Sequence, residues 1–222
     1  MRKTIVILKA ALAAAAFAAA VFAVAVLASC SANNVRDTTP DKSEQDIEAV
    51  FQTVCSADEG LELARVSGLP VFERQGCTSG NDEWDKFFRT VSQGTPASVL
   101  CAHYYTLDKA RMSAESYEEA KDKYPKLFFI LVDYDGAVYS VKGRESTEEE
   151  LDYQESFKYL LHLTGDAPST ALFTAYDNYV LADDPEATWE GIMAGMYSSQ
   201  ADAGIKHFTV YRNCLGWKET ET

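Results

Sequence analysis

Leu127-Phe128-Phe129-Ile130-Leu131-Val132 is a continuous apolar run, and Asp133-Tyr134-Asp135-Gly136 follows it directly. A run of that length closed by turn residues reads as a central strand buried on both faces. Asp-Gly between two such runs is the strongest short-range hairpin signal. Residues 138–141 supply the returning strand. Whatever else the chain does, it has to build a sheet around this hairpin.

The rest of the pattern is read outward from there. Ser43 to Asp46 opens a helix whose Ile47, Val50, Phe51 and Val54 recur at helical spacing. Gly60, Gly68, Pro70, Gly76 and Gly80 punctuate what reads as an irregular segment. A helix is expected from Asn81, with Trp84, Phe87, Phe88 and Val91 as its buried stripe and Gly94 as its stop. Residues 97–107 alternate as a strand, and residues 113–123 suit a short helix before Pro125. Residues 146–164 carry two patterns. Ser146-Thr147-Glu148-Glu149 has capping-box form, but Tyr153, Phe157, Tyr159, Leu161 and Leu163 alternate with polar neighbours. The alternation predicts one strand over 153–164. A further strand over 171–181, a helix capped by Thr188, and a last strand over 205–213 complete the chain. The fold class expected is α+β: an antiparallel sheet of about five to six strands with helices packed on one face.

Residues 1–29 stand apart. Arg2, Lys3 and Lys9 are their only charges, and every residue from 10 to 28 is apolar. A basic start, an apolar run and a small-residue exit make a secretory signal peptide. Its last residues, Leu27-Ala28-Ser29-Cys30, resemble the lipobox of bacterial lipoproteins. That resemblance implies cleavage before Cys30 and a diacylglycerol on its sulfur, hence a chain held on the outer side of the cell membrane. Residues 30–43 then read as the lipidated cysteine and a polar tether, with a reach of roughly 20 Å. Residues 44–222 read as a single α+β domain. The phrases Tyr134-Asp135-Gly136, KYLLHL from Lys158, YVLADD from Tyr179, TWEGI from Thr188 and MYSSQ from Met196 resemble small surface lipoproteins of Gram-positive bacteria, a resemblance that implies no activity.

Charge narrows the partners. The chain has 20 Lys+Arg against 34 Asp+Glu; without the three basic residues of the leader, the net charge is −17. Such a surface repels nucleic acid and anionic headgroups. With Cys30 lipidated, Cys55, Cys77, Cys101 and Cys214 remain, and four cysteines in an exported chain suggest two disulfides with three possible pairings. Sequence proximity favours 55–77, and strand placement favours 101–214.

Catalytic signals are sparse. Cys101 and His103 share a strand face, but i and i+2 lie roughly 7 Å apart, so core or disulfide placement outweighs a nucleophile reading. His103, His162 and His207 have no metal-ligand spacing. Asp133-x-Asp135-Gly136 starts like a calcium loop, yet Arg144 stands where the closing Glu belongs. No motif calls for a metal or a cofactor. All twelve tyrosines follow residue 103, which suits a sugar- or peptide-binding surface or simply a sheet. The first reading is therefore a non-enzymatic binding or interaction module at the cell envelope, attached to the membrane by its lipid and meeting an envelope protein, peptide or glycan. The alternative is an extracellular hydrolase with a site assembled from dispersed carboxylates or Cys/His. A binding patch of Ser140, Lys142, Lys158 and His162 is expected on the sheet face left open by the helices.

Overall fold

A computed structural model describes residues 44–74, 76–197 and 204–218. The leader, Cys30 and the tether lie outside the described residues. Among the described residues no helix is long and apolar enough to cross a membrane.

Five α-helices and nine strands are described, so the fold is α+β. In chain order they are α1 (Glu44–Phe51), α2 (Ala57–Val66), β1 (Val71–Glu73), β2 (Gly76–Ser79), α3 (Asn81–Ser92), β3 (Ala97–Tyr105), α4 (Ala114–Ala120), β4 (Lys126–Tyr134), β5 (Tyr139–Glu145), β6 (Tyr153–Phe157), β7 (Tyr159–Asp166), β8 (Ala175–Ala182), α5 (Trp189–Tyr197) and β9 (His207–Leu215). One sheet runs β2-β1-β3-β4-β5-β6, and a second runs β7-β8-β9. Every pairing is antiparallel except β1 with β3, which are connected through β2 and α3.

The expected hairpin is the centre of the large sheet. Val132 pairs with Val141 and Tyr134 with Tyr139. The Asp135 carboxylate accepts from the Ala137 and Val138 amides, both at 2.8 Å, and Gly136 takes φ 101°. These bonds make the Asp-Gly turn, and they account for the calcium-loop echo.

Helices were expected on one sheet face; both faces are covered. Leu100, Ala102, Leu127, Phe129 and Leu131 point to α1 and α2, where Ile47, Phe51, Leu61 and Ala64 meet them. Val99, Cys101, Ile130, Val132 and Val141 point the other way, to Trp84, Phe87 and Val91 of α3 and to Tyr179, Leu181 and Tyr211 of the small sheet. The reason lies at Lys158. The alternation over 153–164 is continuous in sequence, but the chain bends there and changes sheets, so β6 closes the large sheet while β7 opens the small one.

The segment read as irregular holds α2, β1 and β2. Ser56 and Glu59 form a reciprocal capping box at the start of α2, the Ser56 amide donating to the Glu59 carboxylate at 3.0 Å. Gly60 is mid-helix because a Cβ there would meet Leu127 Cδ2 at 3.2 Å and Cys55 Sγ at 3.3 Å.

Candidate functional site

Tyr179 of β8 faces inward, its ring centroid 5.1 Å from that of Trp84. Alternation then sends Tyr176 to the outer face of the small sheet. There its ring meets Trp189 at the start of α5, centroids 5.8 Å apart. The Thr188 hydroxyl accepts from the Gly191 amide at 3.1 Å, which starts the helix, and Ile192 anchors it at 1 % exposure.

The loop after β7 forms the opposite wall. Ala167 donates its amide to the Thr174 carbonyl, and Ala171 donates to Pro168, each at 2.8 Å. The Lys218 ammonium holds this loop from outside, donating to the carbonyls of Ser169 at 2.9 Å and Ala171 at 2.8 Å. Between loop and helix lies a cleft of about 590 Å³. Phe173, Tyr176, Trp189 and Tyr197 give it aromatic surface, and Asp166, Glu190 and Arg212 give it charge. The size is that of a small-molecule pocket. Burial raises the Tyr176 phenol above its ordinary value, and the Glu190 and Asp166 carboxylates add to the rise. The Tyr176 ring can sit this deep because β7 carries Gly165 opposite it; a Cβ there would lie 2.6 Å from the phenol oxygen. The arrangement offers flat apolar faces with two acids and one guanidinium around them. A second depression, about 520 Å³ around Arg74, Cys77 and Trp217, is more open to solvent.

The patch expected from the sequence does not assemble. Ser140 and Lys142 do share one face of β5, across from Ser156 and Gln154 of β6. That face is the one carrying α1: Lys142 borders a hollow with Gln45, Glu48 and Asp133. Lys158 sits in the bend between sheets, its amide donating to the Asp183 carboxylate at 3.2 Å. His162 is in β7, stacked on Tyr179 at 4.2 Å and 2.6 Å from the Asp177 carboxylate. The change of sheet at Lys158 separates the two halves of the patch.

The expected disulfides are not made either. Cys55, Cys77, Cys101 and Cys214 are all free. Cys55 packs on the α1–α2 side of the large sheet and Cys77 on the α3 side, so the sheet itself stands between that pair. Cys101 is wholly buried in mid-sheet, whereas Cys214 ends β9 beside the Trp217 depression.

Cys101 and His103 line the core, as their strand positions favour. Burial pushes the Cys101 thiol well above its usual value and lowers His103 to about 4. Both are neutral at pH 7, so the pair has no thiolate to attack with. His207 bonds the Ile205 carbonyl at 2.8 Å, far in role from His103 and His162. Among the described residues no group of three His, Cys, Asp or Glu side chains could hold a metal ion.

The α5 cleft was missed by the sequence reading. The helix and the abundance of tyrosine were visible, but nothing in the spacing links Tyr176 to Trp189 or to the 166–174 loop. No family model, no curated protein and no solved structure matches this chain.

Proposed function

We propose that this chain is an extracytoplasmic lipoprotein, attached to the cell membrane through Cys30, and that its domain is a binding module working through the α5 cleft. The lipobox-like Leu27-Ala28-Ser29-Cys30 supports the attachment, and two acyl chains together are a sufficient anchor. The cleft carries the binding reading: rigid aromatic faces from Tyr176 and Trp189 beside polar groups from Asp166, Glu190 and Arg212. Such a lining fits a ligand with a flat apolar face and a hydroxylated edge, which is the character of a sugar ring. The ligand class proposed is an envelope glycan.

The test is calorimetric titration of the domain with cell-wall glycan fragments. Trp189→Ala should abolish the binding isotherm while leaving the unfolding midpoint within a few degrees. Equal affinity in wild type and Trp189→Ala would sink the cleft reading. Fractionation of cells expressing Cys30→Ala tests the anchor separately: the variant should leave the detergent phase or stay unprocessed.

One observation keeps the hydrolase alternative in view, since Asp166 and Glu190 both border the same cleft. Paired carboxylates are what glycoside hydrolysis requires. Release of reducing ends from the fragment that binds, lost in Asp166→Asn and Glu190→Gln, would select that reading over simple binding.

A further inference from the structure

Among the described residues, the edges at β2, β6 and β9 each meet another part of the chain, whereas β7 pairs only with β8. Gly76 of β2 lies against Asn213 of β9, a Cβ there falling 2.5 Å from the Asn213 oxygen. The outer side of β6 is met by Lys206, whose ammonium donates to the Ser156 carbonyl at 2.9 Å. β7 pairs with β8 on one side only. Among the described residues, nothing outside β8 hydrogen-bonds to the backbone of 159–166. An eight-residue strand of this kind presents roughly 27 Å of unpaired edge. Edges that must stay single carry lysine, proline or a bulge. Tyr159-Leu160-Leu161-His162-Leu163-Thr164-Gly165-Asp166 has none of these within it.

The edge is also complementary to itself. Lys158, in the bend one residue before the strand, and Asp166, its last residue, flank it; both are exposed, and neither makes an ion pair among the described residues. They are equidistant from His162. An antiparallel copy centred on His162 sets Lys158 opposite Asp166 of the second chain and Asp166 opposite Lys158. The same register sets Leu161 opposite Leu163 and Leu163 opposite Leu161, one apolar cluster on a single face. Shifting the centre to Leu161 or Leu163 loses both charge pairs. Two-fold symmetry requires residues of equal parity to face each other, and the His162 register satisfies it.

We propose that β7 is a self-pairing edge: two copies of this chain join β7 to β7 antiparallel about His162 and merge their small sheets into one of six strands. The contact is narrow, so in dilute solution it is weak; tethering copies on one surface raises their effective concentration. The interface shares Asp166 with the border of the glycan cleft, but its centre, His162, stacks on the inward-facing Tyr179, and its test reads crosslinking rather than glycan binding.

The experiment uses the full chain expressed in cells. His162→Cys places the new thiol opposite its own copy, Cα atoms about 5 Å apart. Mild oxidation should then give a dimer band on a non-reducing gel. Thr164→Cys, displaced by about 14 Å from its counterpart, should give no more dimer than wild type. Lys158→Glu in the His162→Cys background should lower the dimer yield about tenfold by setting like charges opposite each other twice over. Adding Asp166→Lys should restore it. Circular dichroism of each variant confirms folding. A folded His162→Cys chain that stays monomeric, equal yield at 164, no effect of the charge reversal, or linkage to a different protein would each overturn the proposal.

Discussion

The Arg144 guanidinium of β5 donates to the Phe51 carbonyl that ends α1, 93 residues away in sequence. Other N–H groups of the same side chain donate to the carbonyls of Thr53, Glu145 and Glu148. The central carbon of the guanidinium also lies over the rings of Phe51 and Phe129, 5.6 and 5.7 Å from their centroids. At 1 % exposure it is one of the largest buried side chains, a cation paid for by backbone carbonyls rather than a carboxylate.

Arg144→Met should therefore lower stability by about 3 kcal/mol, because several buried carbonyls lose their donor at once. Arg144→Lys should recover little, since one ammonium cannot reach the spread of acceptors that the fork does. Urea denaturation measures both. A loss under about 1 kcal/mol for Arg144→Met would mean water replaces the guanidinium.

His103 gives the fold a pH dependence. Burial lowers its pKa to about 4, below the usual 6.5, against a smaller opposing effect of its hydrogen bond to the Val210 backbone. Its Nε2 is out of reach of water and has no partner among the described residues. Below about pH 6.5 the unfolded chain binds a proton here that the folded chain refuses. Stability contributed by this site is whole above pH 6.5, falls as pH drops towards 4, and is constant below that. The loss reaches at most about 3 kcal/mol. His103→Gln should flatten the stability curve over this window relative to wild type, whatever it does to the absolute value. Parallel curves would refute the assignment.

Gly143 and Tyr153 face each other across β5 and β6. A Cβ on Gly143 would lie 2.2 Å from the Tyr153 ring, so the ring rests directly on the backbone. Gly143→Ala should cost about 1–3 kcal/mol by displacing a packed aromatic ring. Tyr153→Leu combined with it should cost less than the two changes summed, a coupling that a double-mutant cycle reads directly.

The thiols distinguish the fold from the simplest reading of an exported, cysteine-bearing chain. With all four free, denaturant alone should expose four alkylatable thiols without reductant. In the native domain Cys101 should stay unlabelled at pH 8, where burial keeps it protonated and covered. Two or fewer labelled thiols under denaturant would show that disulfides form after all.

Local chemistry was legible wherever a residue's role depends on near neighbours. The Leu127–Val132 run and its Asp-Gly turn specified β4 and β5, because strand burial and turn geometry are settled within ten residues. The stripe of Trp84, Phe87 and Val91 specified α3 in the same way, and Thr188 the start of α5. Ser56 and Glu59 form a local capping box at the start of α2, a signal absent from the sequence reading, in which Gly60 counts as loop punctuation. Gly60 is there for the close approach of Leu127, a contact from across the fold that looks, in sequence, like a loop residue.

What the tertiary structure alone decided is which surface each regular element meets. Alternation over 153–164 tells which side chains share a face, but it is blind to which sheet supplies that face. The bend at Lys158 sends β6 and β7 to different sheets and so parts Ser140 and Lys142 from His162. The same step brings Tyr176, Trp189 and the loop beyond β7 to one cleft from three stretches of chain. Periodicity is a property of a single strand or helix; a cleft, a covered face and a free edge belong to the packing of several, and only burial summed over the whole domain selects among the packings that a given pattern allows.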